Sequence, residues 1–434
     1  MTFLGWIFIP LGIGILLRRP RWLLPLAIVA AVFQGGSVLN IGAMGIQPFY
    51  FVSILIACYL LFARLKGQLR LRVPTSSCIY PLLLFWLWAA VSAFVMPFVF
   101  RGTPVLDLTA DMENSNFPVV PLGFSFANVT QVGWLTLNLG VVLFAALFGK
   151  WEQVRKALAI AVGIAVTIML VQLALAQFGY QLPVWLFNNN PGQLQAILGD
   201  YDRPNGAFSE PSYAGVLFTS LTAGALARFF SGGSLWPFLG SLVCTLLVRS
   251  GASLAALVVC AVLLCATRLP KRKLGAVTFS AWKYAILGFL CLAGIAIAVE
   301  VPSISEALAE NTVRKAETAS FVVRAVVDLA GLTTFRNTYG LGVGLGSIRT
   351  SSFLVTLLAA TGPGAALFIW FVIRLLRRTK NSALRWMFIG TLLTQVAGVP
   401  DLGLTLLWMN VCVLMVYILN EAAHNVDTAT PAPA

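Results

Sequence analysis

Apolar residues in this chain come in long unbroken blocks, without the alternation of half-buried strands or the one-sided stripe of a soluble helix. Blocks of about 20 residues match the hydrocarbon thickness of a bilayer. Thirteen follow one another, at 3–17, 22–38, 46–63, 78–100, 127–149, 157–178, 212–230, 235–249, 251–267, 283–299, 351–373, 385–400 and 402–420. The first is short, so the pattern predicts twelve to thirteen transmembrane helices. The expectation is an all-α polytopic membrane protein with residues 1–420 as a single transmembrane domain. Three long polar stretches separate the blocks, 101–126, 179–211 and 300–350, and residues 421–434 read as a disordered tail.

Composition agrees with the blocks. Of 434 residues, 59% are hydrophobic and only 10% charged, against roughly 25% charged in a soluble domain. Too few charges exist to cover a water-facing surface, which excludes a soluble enzyme, a disordered protein and a disulfide-stapled secreted domain. The net charge of +14 on a soluble protein would suggest nucleic acid. Here the positive-inside bias competes with that reading, and the positions of the charges decide.

Twenty-one of the 29 cations sit in six clusters: Arg18–Arg21, Arg64–Arg72, Lys150–Lys156, near Arg228, Arg268–Lys283 and Arg374–Arg385. Each cluster falls in an alternate loop, so the spans alternate without conflict and the C-terminal tail is cytoplasmic. Nucleic acid is not needed as a partner; the lipid bilayer is. The remaining eight, Arg101, Arg203, Arg249, Arg314, Lys315, Arg324, Arg336 and Arg349, lie on the external side with 12 of the 15 acids. The charge rule disfavours cations there, so they need another reason.

The N-terminus has no basic region ahead of its apolar block and no small-residue cleavage site after it, and reads as a retained span. The seven cysteines fall in or beside apolar blocks with no CxxC pair, and the single histidine, His424, sits in the polar tail. No metal site and no cofactor are expected. Charges are almost absent from the middle of the blocks, which argues against a proton-coupled transporter or a channel. Chemistry is therefore sought in the three external loops.

The first, with Asp107, Asp111 and Glu113, reads as a solvent-facing acidic cover. The second carries Asn188-Asn189-Asn190 and then Asp200-Tyr201-Asp202-Arg203-Pro204-Asn205-Gly206-Ala207-Phe208-Ser209-Glu210-Pro211-Ser212-Tyr213. Carboxamides, carboxylates and aromatic faces suit sugar rings. The same residues also suit a helix entry, with Ser209 or Ser212 as cap and Glu210 in the first turn. The third loop opens with a capping-box pattern at Ser303–Glu306 and shows helical spacing through about residue 330. Its i,i+4 pairs are Glu310–Arg314 and Arg324–Asp328. After it come Arg336, then Gly340, Gly342, Gly344 and Gly346, and then Arg349. This glycine run is no Walker or Rossmann loop, although close glycines allow backbone N–H groups to approach a phosphate. Residues 347–352 lead into another anion-friendly helix start. Arg249-Ser250-Gly251 forms a tight external turn, where the arginine either reaches lipid headgroups or faces a phosphate, which its fork suits better than a lysine would.

Three of these segments, taken in order, resemble a known family. Arg203-Pro-Asn-Gly-Ala-Phe-Ser-Glu-Pro-Ser212 resembles the Arg-x-x-Gly-x-Phe-x-Glu-Pro segment of the bacterial O-antigen ligase and O-antigen polymerase superfamily. Arg249-Ser250-Gly251-Ala252 is similar to its Ser/Arg-Gly-Ala turn, and Gly340–Gly346 followed by Ser352-Phe353-Leu354 to its Gly-x-Gly segment. The resemblance covers roughly residues 127–420. It implies a glycosyltransferase C-type architecture with long periplasmic loops in the bacterial inner membrane, and an undecaprenyl-pyrophosphate-linked oligosaccharide as donor. The family's ligases carry a histidine after the glycines, where this chain has Arg349-Thr350-Ser351-Ser352. The departure favours a polymerase, most like an exopolysaccharide polymerase of the xanthan type.

The resulting expectation is an enzyme that polymerises lipid-linked repeat units on the periplasmic face, with chain-length and export proteins as conceivable partners. Arg203 and Arg249 would neutralise the leaving pyrophosphate, and Glu210 would orient or deprotonate the attacking hydroxyl. Arg336, Arg324, Arg349, Asp202, Tyr213 and Asn205 would bind substrate and pyrophosphate. A ligase moving finished glycan to another acceptor is the nearest alternative. A lipid-linked sugar flippase is the alternative of a different class, and would require a charged central cavity.

Overall fold

The computed structural model describes residues 1–42, 44–67, 78–106, 119–191, 203–268 and 319–429. They are mostly helical. Among them, five helices are long and apolar enough to cross a membrane: α3 (Pro48–Leu65), α4 (Ile79–Val99), α5 (Phe126–Phe148), α6 (Trp151–Gln177) and α8 (Pro211–Phe230). At about 1.5 Å per residue, these span about 27–40 Å. Shorter helices fill the remainder: α1 (Phe3–Arg18), α2 (Leu23–Ala30), the single turn α7 (Val184–Phe187), α9 (Trp236–Leu247), α10 (Gly251–Arg268), α11 (Ala319–Asn337), α12 (Phe353–Thr361), α13 (Gly364–Arg378), α14 (Ser382–Gly398) and α15 (Thr405–Ala429). Two small antiparallel hairpins, Leu39–Ile41 with Met44–Ile46 and Pro104–Leu106 with Val119–Pro121, complete the described elements. This is the build of an all-α membrane protein. The expected span at 283–299, the capping box at Ser303–Glu306, the pair Glu310–Arg314 and the acids Asp107, Asp111, Glu113, Asp200 and Asp202 lie outside the described residues.

Local signals set the helix starts. Pro48 and Pro211 occupy first-turn positions, where the missing N–H costs nothing. Thr2 accepts from the Gly5 N–H, Asn381 accepts from Leu384, and Ser125 with Asn128 forms a capping box. α8 is the most enclosed of the five long helices and packs against α9, α10 and α14. Gly215, Gly224 and Gly390 permit this approach: a Cβ on Gly390 would lie 3.1 Å from the Ser220 Cα and the Thr219 carbonyl.

Two of the expected spans are broken. In the block 22–38, helix α2 stops after eight residues, and residues 31–38 run on as irregular backbone that is buried throughout. Irregular backbone is tolerated at membrane depth only where protein satisfies its polar groups, and here it is well supplied. The Ala31 carbonyl accepts from Thr405 Oγ1 at 2.8 Å, the Gly35 N–H donates to the Ala207 carbonyl at 2.9 Å, and the Ser37 N–H donates to Asn189 Oδ1 at 2.8 Å. In the block 351–373 the helix breaks at Gly362-Pro363, with Gly362 at φ +53°. The carbonyls freed at the end of α12 find partners nearby. Ala359 and Ala360 accept from the N–H groups of Val343 and Gly344, both at 2.9 Å, and Thr361 accepts from Trp88 Nε1 at 2.6 Å. At the C-terminus, α15 runs to Ala429.

Contacts sort the loops onto two ends. Lys380 pairs with Glu421 at 3.1 Å, Asn420 reaches the 149–151 turn, and Arg374 and Arg378 act electrostatically on Cys78. The start of α4 at Cys78 and the basic loops 149–156 and 374–385 therefore share one end. The segments 31–42, 44–47, 97–104, 121–128, 187–191, 203–212 and 337–352 meet at the other, through contacts such as Gln34–Ser209, Asn128–Leu345 and Gly344 against Pro97.

Candidate functional site

The site is built at the end opposite the basic loops, around a loop, a helix start and a turn. The loop 203–210 delivers Glu210 and Tyr213 to the head of α8. It is clamped from α6, where Gln172 Oε1 accepts from the Asn205 and Gly206 N–H groups at 3.0 and 2.7 Å while its amide donates to Asn205 Oδ1 at 2.9 Å. Gln34 Oε1 accepts from the Ser209 N–H and hydroxyl at 3.1 and 2.7 Å, and Asn188 donates to the Gly206 carbonyl at 3.1 Å. Gly35 is required for this approach, because a Cβ there would lie 2.8 Å from backbone atoms of Phe208 and Ser209. Removing Gln172 by Gln172→Ala strands two partly buried N–H groups. It is expected to destabilise the fold by about 2–4 kcal/mol, read as an earlier fluorescence transition on heating in detergent. A melting curve that superimposes on the wild type would show that the clamp does not hold the loop.

The carboxamides expected to face a sugar have other work. Asn189 accepts from the Ser37 N–H and hydroxyl and donates to the Trp185 carbonyl, and the Asn190 N–H donates to the Gly35 carbonyl. Asn205 is buried, and its amide donates to the Phe208 carbonyl at 2.7 Å. The Asn189 side chain and the Asn190 backbone thus hold the irregular segment 31–38, and Asn205 holds the 203–209 loop.

The glycine run is likewise structural. Gly340, Gly342, Gly344 and Gly346 all have φ between +77° and +99°, a region that strains any side chain. The N–H groups of residues 340–344 are each donated within the chain: to Phe335, to Thr338 twice, to Ala359 and to Ala360. None of these five is left to cradle a phosphate. The run wedges between helix ends instead, with Gly344 against Ser92 and Pro97 and Gly346 against Ala127 and Asn128. The approach to the next helix already has an anion. Asp328 of α11 accepts from the Ser351 and Ser352 N–H groups at 2.8 and 3.0 Å and from the Ser351 hydroxyl at 2.8 Å. Asp328 therefore fixes the backbone just ahead of α12 and forms no ion pair with Arg324, contrary to its i,i+4 spacing.

What the run achieves is the placement of Arg349. Its Nη2 lies 3.1 Å from Asp401 Oδ1, 3.1 Å from Oδ2 and 3.4 Å from the Tyr213 hydroxyl. The Tyr213 hydroxyl in turn donates to Asp401 Oδ2. Glu210 stands at the head of α8 with Ser212 Oγ donating to it at 3.0 Å. Asp401 first, then Tyr213, and after the opposing cost of desolvation Glu210, push the guanidinium's proton loss above its ordinary value. Arg349 is thus a permanent cation with 52% of its side chain exposed.

Arg324 joins the same region from α11: its Nη1 would lie 3.0 Å from a Cβ on Gly398, three residues before Asp401, with Ala252 alongside. Ala252 belongs to the turn that carries Arg249, and Ser250 and Ser253 of that turn pack on Gly215 of α8. Arg249 is exposed and holds φ +50°, a left-handed conformation that costs a non-glycine residue about 1–2 kcal/mol and recurs at functional sites. Arg203 is half-buried at the start of the clamped loop. Arg336 is not brought in. It is exposed in the last turn of α11, about 18 Å along the axis from Arg324. Asp202 lies outside the described residues.

Asp401 is the functional candidate that the sequence did not single out. It was one of a dozen external acids, in a turn of a few residues between two apolar blocks, with no motif around it. No Asp, Glu, Lys or Arg among the described residues is buried, and no group of three or more His, Cys, Asp or Glu among them could hold a metal ion. No family model, no curated protein and no solved structure matches the chain.

Proposed function

We propose that the chain is a membrane glycosyltransferase of the C-type architecture. In this reading it polymerises undecaprenyl-pyrophosphate-linked oligosaccharide repeat units into exopolysaccharide on the periplasmic face of a bacterial inner membrane. The observation that carries the reading is the cluster of Arg349, Arg324, Tyr213, Glu210 and Asp401, with the strained Arg249 turn packed beside it. It lies at the end of the helical bundle opposite the basic loops, where the charge rule gives arginine no topological reason to be.

In the transfer, the bond between the anomeric carbon and the pyrophosphate oxygen breaks, and a hydroxyl oxygen of a second repeat unit bonds to that carbon. Negative charge builds on the leaving pyrophosphate. Arginines neutralise it through charge-assisted, forked hydrogen bonds, which is the role of Arg349 and Arg324, with Arg249 and Arg203 at the rim. The hydroxyl's proton passes to Glu210, which sits beside the arginines at the mouth of α8. The absence of buried charge among the described residues favours this reading over a flippase with a charged central path. His424 lies in α15 beyond Glu421, at the basic end, so it is placed away from the cluster.

The test is a reaction of purified protein with its lipid-linked repeat unit. Long polymer still attached to the lipid carrier is the expected product, and its yield should fall in Arg203→Ala and in Arg249→Ala. Glycan moved to a different acceptor would make the protein a ligase. No new glycosidic bond from folded protein would remove the enzymatic reading.

A further inference from the structure

The turn that carries Asp401 is held more firmly than its position requires. Three successive carbonyls are each taken by a side chain from a different place: Asp401 O by Gln395 Nε2 at 3.0 Å, Leu402 O by Trp408 Nε1 at 2.7 Å, and Gly403 O by the Tyr50 hydroxyl at 2.6 Å. Gln395, Trp408 and Tyr50 are all buried. The carboxylate itself is held from one side by the Tyr213 hydroxyl, and Tyr213 is buried in the head of α8. Neither restraint depends on Arg349.

Arg349 touches this fixed pair with one nitrogen only. Its Nη2 makes every hydrogen bond of the guanidinium to described residues. Nη1 and Nε, which carry three of the five N–H donors, make none. An exposed ion pair by itself contributes about 0–1 kcal/mol to stability, so tight anchoring of the acid points to geometry as its purpose.

We propose that Asp401 and Tyr213 are positioning residues. They grip one corner of the Arg349 guanidinium so that its free edge is presented, already oriented, to a phosphate or diphosphate ester. The ligand class rests on the proposed glycosyl transfer; the gripping geometry does not. Orientation before binding lowers the ordering cost that a free arginine side chain would meet when it closes on an anion.

The experiment is a calorimetric titration of inorganic pyrophosphate into the purified full-length protein in detergent. The variants are Asp401→Asn, Tyr213→Phe, Arg349→Ala and the double variant Asp401→Asn/Arg349→Ala, with melting recorded for each. Asp401→Asn is expected to bind about tenfold more weakly, and Tyr213→Phe, which removes a single hydroxyl, is expected to shift affinity in the same direction. The double variant is expected to bind no more weakly than Arg349→Ala alone, because positioning acts only through the arginine. Losses that multiply in the double variant overturn the proposal. So does tighter binding by Asp401→Asn, which would make the acid a competitor for the arginine.

A second arm adds undecaprenyl pyrophosphate to the micelles. Displacement of inorganic pyrophosphate from wild type but not from Arg349→Ala identifies the lipid carrier as the phosphate source, and its failure leaves a free diphosphate. Because no sugar is present, the outcomes separate cleanly. Coupled pyrophosphate binding without glycan transfer would sustain the positioning roles and remove the proposed function. Transfer without pyrophosphate binding would do the reverse.

Discussion

Arg349→Ala is expected to lower polymer formation by two to three orders of magnitude while the protein remains folded. The loss expected matches the roughly 10²–10³ cost of removing one preorganised donor to a developing negative charge. Arg349 offers more than one such donor, with three N–H groups unused by the described residues. The fold should survive because the side chain is half-exposed and the acid it leaves behind, Asp401, keeps the Tyr213 hydroxyl and has 31% of its side chain exposed to water. Arg349→Lys should recover little, since an ammonium cannot hold Asp401 with one nitrogen and a phosphate with two others. Yield and length of polymer from purified protein, beside a melting curve, give the answer. Wild-type yield in Arg349→Ala would mean that the cluster does not do the chemistry.

The second large effect is on the fold. Gly346→Ala is expected to destabilise by about 3–5 kcal/mol and to leave little monodisperse protein after solubilisation. Two penalties coincide. The residue holds φ +90°, worth about 1–3 kcal/mol of strain for a side chain. The new Cβ would also lie 2.6 Å from the Ala127 carbonyl oxygen and 2.8 Å from the Asn128 Cα, atoms of the first turn of α5 that cannot swing aside. Gly102→Ala separates the two penalties, with φ +86° but no atom within 4 Å of its Cβ; Gly240→Ala, in α9 with open space around it, should be harmless. Size-exclusion profiles of the three variants rank them. Equal yields would show that the wedge of glycines between the helix ends is not a structural necessity.

Much of this architecture is legible in the residue pattern, and the exceptions share a cause. Apolar length marks α3, α4, α5, α6 and α8 to within a few residues, apart from an earlier start for α6, and Glu210-Pro211 marks the start of α8, because these signals are local. The breaks at residues 31–38 and at Gly362-Pro363 are hidden within apolar blocks, since hydropathy does not register where a helix stops. The asparagines at 188–190 carry the right chemistry for a sugar, yet Asn189 is used on the Ser37 backbone some 150 residues earlier in the chain and Asn188 on the Gly206 carbonyl. Arg349 was visible as a cation out of place. Asp401 was not, because its partners lie 52 and 188 residues away in sequence, and a lone acid in a short turn has no neighbours that give it meaning.

The irregular segment 31–38 also sets an order for biogenesis. Its peptide groups cannot face lipid unpaired, yet beside local partners such as Ile46 and Gln47 they rely on Asn189, Ala207 and, 374 residues beyond Ala31, Thr405. A chain emerging from the ribosome N-terminus first has none of these to offer when residues 31–38 reach the bilayer. The second hydrophobic block must therefore wait, sheltered by the insertion machinery or held at the interface, until Thr405, 374 residues beyond Ala31, has been made. An early segment is thus among the last to find its final place, and a chain cut short before Thr405 would leave the Ala31 carbonyl open to any membrane protease that surveys unfinished proteins.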